Sequence, residues 1–497
     1  MKKALCILFS LLLLLSLCAC GGSSTDSAND TAASTAESEQ TVDQDSASSH
    51  GRPGDPPSGE RPGDPPDGNG PGGTPPDGAP GGMPGGAPGS GSSADLAYSG
   101  AVEITSADSQ SGQTYTSAAS DESALIVDTD EAVTLENVTV TKTGDSNGGD
   151  SCNFYGLNAA LLVMGGSVAT ITGGSVTSDA SGANGVFCYG GNGASNGAGG
   201  DGTTVVISDV TITTTGNGSG GIMTTGGGVT YANDLTVETS GGSSAPIRTD
   251  RGGGTVVVDG GSYVSNGLGS PVIYSTADIT VKGATLVSNL SEGVCIEGMN
   301  SITLENCDLT ANNTAMNGNA TFLDSIMIYQ SMSGDADSGT SAFTMTGGSL
   351  TSLSGHMFHV TNTHAVITLS GVKLANEGSD ILLSVCDDGW NGASNIAEFI
   401  ADAQELSGTI LVGDNSTLTL TLGNGSSFEG TFSGEIENAK GTTVSTEVGT
   451  VNVILDSTST WTLTADTYIT SFEGDASSVI GNGYTLYVNG TALEGTK

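Results

Sequence analysis

One six-residue pattern returns nine times along this chain: apolar, any, a turn residue (Gly, Asn or Asp), small or apolar, any, apolar. It runs Leu135–Val140, Ile171–Val176, Ile207–Ile212, Ala232–Val237, Val258–Tyr263, Val281–Leu286, Leu304–Leu309, Met345–Leu350 and Leu369–Leu374. The steps between copies are 36, 36, 25, 26, 23, 23, 41 and 24 residues, a basic period of 23 to 26 with longer insertions. Repeats of this length are single structural rungs that bury their apolar face only by stacking on one another. Within each copy the residues alternate as in a strand, with a tight bend in the middle, and no helical segment separates the copies. Composition agrees: of 497 residues 78 are Gly and only 5% are aromatic. That suits thin repetitive β-structure better than a compact α/β enzyme.

The predicted fold is all-β: a parallel β-helix over 95–390, with rungs paired in parallel at about 4.8 Å. Residues 391–497 are expected to be terminal β rungs and a cap over the open end. There Glu398–Leu411, Ser416–Leu422, Val451–Leu455 and Trp461–Tyr468 read as strands, and Asn482-Gly483-Tyr484 begins a hairpin-like stretch. A helix at Ile396–Leu406 is the alternative, but its apolar spacing is irregular and strand is the expectation. Period and composition resemble the pectin-lyase-like superfamily of right-handed parallel β-helices, which includes polysaccharide lyases, hydrolases and surface adhesins. The resemblance covers roughly residues 100 to 390 and rests on no family-specific motif.

The N-terminus sets the compartment. Lys2 and Lys3 precede an apolar run, Ala4–Leu17, too short for a stable membrane span. It ends Leu17-Cys18-Ala19-Cys20, which resembles a bacterial lipobox. That resemblance implies removal of a signal peptide, residues 1–19, and acylation of Cys20, anchoring the chain on the outer face of a membrane. Residues 20–94 are then a disordered Ser-, Pro- and Gly-rich stalk or linker, with 12 of the 14 prolines between 51 and 89. The net charge of −43 repels nucleic acid and anionic lipid. The expected partner is a polysaccharide or a host or cell-surface glycan, met by a monomer.

Each rung carries a further strand after a Gly- or Ser-rich turn, from Val186–Tyr189 to Leu382–Val385. With alternate residues outward, one column reads Phe187, Met223, Arg248, Ile273, Cys295, Met327, His359, Leu383. The other reads Tyr189, Thr225, Asp250, Ser275, Glu297, Tyr329, Thr361, Val385. Facing solvent, so many apolar and aromatic groups mark a contact surface; under a loop they are simply covered. The candidate ligand-binding residues are Tyr189, Arg248, Asp250, Arg251, Tyr274, Glu297, Tyr329 and His359, with Tyr274 joining only if its rung slips by one residue. Arg248 and Arg251 are the only arginines after residue 61, in a stretch with 43 acidic and 7 basic residues from 95 onward. An arginine beside an aspartate can grip a carboxylate or a sugar hydroxyl, or brace a turn through an ion pair. In pectate lyases an arginine acts as base and aspartates bind calcium on such a face, so calcium is the ion the resemblance brings; no calcium-binding cluster accompanies Arg248 here. Asp250 and Glu297, two rungs apart, approach the carboxylate spacing of inverting glycosidases.

Other motifs carry less. His356-x-x-His359 and His364 could be metal ligands, but residues three apart on a strand face opposite sides. Gly144-Asp-Ser146-Asn-Gly148 matches a hydrolase elbow as a string, with no following helix expected. The glycine-rich Gly190–Gly202 lacks periodic aspartates. Cys152, Cys188, Cys295, Cys307 and Cys386 form no disulfide framework. Cys152 and Cys188 could bridge, though buried thiols in the core are the expectation. These features favour a surface adhesin or carbohydrate-binding protein without a catalytic set. A polysaccharide lyase or glycoside hydrolase built on Arg248, Asp250 and Glu297 is the alternative, and an envelope spacer the third reading.

Overall fold

The computed structural model describes residues 96–192, 199–390 and 395–497. The expected signal peptide, Cys20 and the expected stalk lie outside the described residues. What is described is a parallel β-helix: one sheet of 15 strands and one of 22, paired in parallel rung upon rung. The first residue of each repeat stacks in register through the solenoid, Leu135 on Ile171, Ile207, Ala232, Val258, Val281, Leu304, Met345 and Leu369. The last stacks likewise, from Val140 to Leu374. Both columns point inward and build one continuous apolar core.

The turn residue of every copy adopts the left-handed conformation: Asn137 at φ 50°, Asp209 at 56°, Asp234 at 48°, Asn306 at 52°, with glycine at 173, 260, 283, 347 and 371. Only Gly, Asn and Asp enter that region at little cost, which is why the third position never varies outside them. This bend turns the 22-stranded sheet through a corner, so each rung has three strand segments. The long strands Ala132–Lys142 and Val168–Ser178 run through the bend unbroken.

Past residue 390 the parallel pairing continues. Asn395–Asp402 stacks on His364–Ser370, and Ser416–Gly423 and Thr450–Leu455 follow. Residues 396–402 and 405–406 are strand, as predicted, although the single segment expected to reach Leu411 breaks at Ala403, φ 50°. The chain closes with a small hairpin, Leu486–Val488 against Thr491–Ala492, turned by Asn489-Gly490 at positive φ. Among the described residues no helix is long and apolar enough to cross a membrane.

Candidate functional site

The 15-stranded sheet carries the two outward columns, and its register corrects them. Arg248 pairs with Tyr274, and Tyr274 with Cys295. Tyr274 therefore occupies the column where the sequence placed Ile273: the one-residue slip occurs. At the far end His359 pairs with Ser384 instead of Leu383, after a bulge between Ile381 and Leu383. Ile273 and Leu383 face the core.

The larger correction concerns solvent. Phe187 is 0% exposed and Tyr329 1%, so the strip is no open contact surface. Residues 144–160, including a short helix Asp150–Tyr155, lay Phe154 and Tyr155 over Phe187, Tyr189 and Met223. Residues 331–336 close over Glu297, and Trp390 packs on the cluster of Tyr274, Met327 and Tyr329, 4.9 Å from the Tyr329 ring. Phe322 and a hairpin, Ile436–Glu437 with Thr443–Ser445, cover Cys386 and Leu411. The apolar outward residues exist because this cover forms a second layer of core on them.

Within the covered strip the polar candidates form two linked networks. Arg248 donates to Asp250 at 2.8 Å, to the Ser243 carbonyl at 2.9 Å and to Asn153 Oδ1 on the covering helix at 3.3 Å. Its guanidinium lies 5.7 Å from the Tyr274 ring centroid. Arg251 grips Asp335 Oδ1 through two nitrogens, at 2.7 and 3.2 Å, and sits 4.3 Å over the Phe154 ring. Both arginines thus tie the cover to the rungs beneath. Burial pushes the Asp250 carboxyl up to about 7, against the pull of Arg248 and with Asp335 and Glu297 adding to it.

Glu297, two rungs beyond Asp250, is held by four hydroxyls. Tyr274 and Tyr329 donate to Oε2 at 2.6 and 3.1 Å, Ser333 donates to Oε1 at 3.1 Å, and Ser331 donates to the same oxygen. Burial, and then the Glu297 charge, drive both tyrosine hydroxyls far above their ordinary range. The recess beside Arg248, lined by Ser243, Ala245, Gly269, Pro271 and Tyr274, has about 10 Å³, room for one water and not for a sugar. A wider groove of about 560 Å³ lies elsewhere, among Lys373, Glu405 and Glu429.

The histidines meet where spacing on a strand separates them. Nδ1 of His356 and of His359 each lie 2.8 Å from Ser384 Oγ. His356 begins its strand just after Gly355 at φ 69°, so its side chain leaves from a corner and alternation does not hold. Nε2 of His359 lies 3.4 Å from Asp388 Oδ2, both side chains sealed from solvent, with the Phe322 ring 4.7 Å from one imidazole and 5.4 Å from the other. Burial lowers His356 to about 3, so it stays neutral. Serine, histidine and aspartate here share an order with hydrolytic triads, but Ser384, His359 and the Asp388 side chain are sealed from solvent. Ser384 became visible only with the corrected register, and Asp388 had no signal in the sequence. His364 turns away to Glu398 at 2.8 Å, and among the described residues no three His, Cys, Asp or Glu converge to hold a metal.

A helix does follow Gly144–Gly148, contrary to expectation. Ser146 nevertheless donates to Asp121, accepts from the Gly148 amide at 2.9 Å, and has Cys152 Sγ at 3.2 Å, with no histidine as its partner. Cys152 and Cys188 form no bridge: all five cysteines among the described residues are free and buried. Only Cys188 and Cys307 line the solenoid core, the other three lying in or under the cover. The chain matches no protein-family model, no curated protein and no solved structure, so its chemistry is read from its own geometry.

Proposed function

We propose that this chain is a lipid-anchored cell-surface protein whose β-helix is a rigid rod for adhesion, binding repetitive carbohydrate. The observation that carries the reading is a double row of hydroxyls on the uncovered sheet: Thr114 and Thr116, Thr139 and Thr141, Ser175 and Thr177, Thr211 and Thr213. All eight are exposed or half-buried. Rungs repeat every 4.8 Å or so, so the rows offer hydroxyls at a fixed interval to a ligand that also repeats. Each hydrogen bond is weak in water, and engagement at several rungs at once supplies the affinity. The lipobox, the stalk and the inaccessibility of Arg248, Asp250 and Glu297 support display over catalysis.

The test is retention of the protein on a panel of plant, mucin and bacterial polysaccharides. Combined Thr141→Glu, Thr177→Glu and Thr213→Glu should lower retention at least several-fold, while Arg248→Ala should leave it unchanged. The reverse pattern would overturn the reading.

A second reading, a polysaccharide lyase or hydrolase with Arg248, Asp250 and Glu297 at its centre, draws on the Asp250 carboxyl poised near neutrality beside a guanidinium. It requires the 144–160 and 331–336 segments to swing away. Release of new reducing or unsaturated sugar ends, with and without calcium, and its loss in Asp250→Ala, would establish it over the rod.

A further inference from the structure

Lys142 ends the long strand Ala132–Lys142 and is fully buried at the foot of the segment that covers the strip. Lysine is almost never fully buried without a charged partner. Here the amine makes no ion pair among the described residues: it donates to the Ala119 carbonyl at 2.8 Å and to the Gly144 carbonyl. The Gly144 oxygen accepts a second bond at 2.9 Å from Nδ2 of Asn158, itself 1% exposed. Amine and carboxamide therefore share one acceptor oxygen. Asn158 Oδ1 is buried and has no hydrogen-bond partner among the described residues.

From this juxtaposition we infer that Lys142 and Asn158 are the two halves of an intramolecular isopeptide bond. The Nζ lone pair attacks Cγ of Asn158 and a carbon–nitrogen bond forms. Nζ gives up a proton, Nδ2 takes one, and the Cγ–Nδ2 bond breaks to release ammonia. No oxidant, reductant or cofactor enters the balance. Burial lowers the lysine toward the neutral amine that the attack needs, and Glu122 is the carboxylate whose charge acts on it most strongly.

The bond has a structural consequence. Residues 143 to 157 lie between its ends, and they include the helix whose Asn153 meets Arg248 and whose Phe154 lies under Arg251. A covalent clasp there would fix the cover at both ends and limit its freedom to lift away.

The full chain, purified after export, denatured and digested with trypsin, decides the matter by mass spectrometry. Trypsin cuts after an unmodified lysine and skips an acylated one. The expected product is a peptide uncut at Lys142, running through to Arg248 and lighter by one ammonia. Lys142→Arg should restore the cut at position 142 and the full mass. Cleavage of the wild-type chain after Lys142 overturns the proposal, at full mass or with ammonia lost, since loss of ammonia with a free lysine means that Asn158 has only cyclised on its own backbone. The wild-type result decides by itself, so it stands even if the variant folds poorly.

Discussion

The Tyr274 hydroxyl donates to Glu297 Oε2 at 2.6 Å, reaching diagonally from one rung to the next beneath the cover. Tyr329 closes on the same oxygen from the rung beyond, and two serines of the cover hold the other. A carboxylate that would be costly alone in this interior is thereby made the joint between solenoid and cover.

Glu297→Ala should therefore destabilise the fold by about 3 kcal/mol, because it leaves two buried phenols without an acceptor. Glu297→Gln should cost less, since the amide oxygen still serves one tyrosine. Urea unfolding read by tyrosine fluorescence checks the order. Equal stability of the two variants would show that the network contributes only by filling space.

Asp250 gives a pH dependence of definite sign. Its carboxyl sits near 3.8 when free and is pushed up to about 7 in the fold. Between those values the folded state holds more protons than the unfolded one, so stability falls as pH rises from about 4 to about 7 and then levels off. The slope is at most about 1.4 kcal/mol per pH unit from this one group. Asp250→Asn removes the titration, so the stability of the variant relative to wild type should climb over the same window. Comparing the two proteins cancels the other carboxyls that titrate there. Parallel curves for wild type and variant would place the Asp250 pKa at its ordinary value.

His356 acts in the opposite sense. Its folded pKa of about 3 lies below the free value of 6.5, so the wild type gains stability as pH rises from about 3 to 6.5. His356→Gln, which keeps a polar group near Ser384, should flatten that part of the profile.

The solenoid was legible because stacking imposes its rule on every rung alike. A left-handed bend admits few residue types, so Asn137, Asp209, Asp234 and Asn306 announce it in the sequence. The strip was legible in composition and not in phase. Val272-Ile273-Tyr274 are three apolar residues in a row, so alternation could not say which faces the core, and only the pairing of Ile273 with Ile247 decides it. That a loop covers the strip was one of the two readings the sequence allowed, but the residues that form the cover were not legible. The helix Asp150–Tyr155 is six residues long, too short for a helical period to register. Ser331 and Ser333 resemble any other serine of a loop until Glu297 lies beneath them.

Glycines test the repeat directly. At Gly371, φ 61°, an added methyl group meets nothing within 4 Å, whereas at Gly348, φ 70°, it would fall 2.0 Å from the Cys307 carbonyl oxygen. Both substitutions to alanine pay about 1–2 kcal/mol for the left-handed backbone. Only Gly348→Ala must also push one rung away from the next, so its loss of stability should be clearly the larger. Similar losses would mean that the rung spacing yields more readily than close packing of an interior allows.

The thiols report on how cover and solenoid open. All five cysteines among the described residues are free and buried, and burial drives each thiol upward, Cys188 to about 12. The thiolate is the reactive form, so alkylation of the native protein at neutral pH should be very slow at every site and complete at all five once the chain is unfolded. Cys152 lies in the covering helix, while Cys188 and Cys307 line the solenoid core. Local opening of the cover exposes the first without the others, whereas loss of the rungs exposes them together. Mass tagging over time should therefore show Cys152 labelled well ahead of Cys188 and Cys307. Labelling of all three at one rate would mean that the cover and the solenoid open as a single unit.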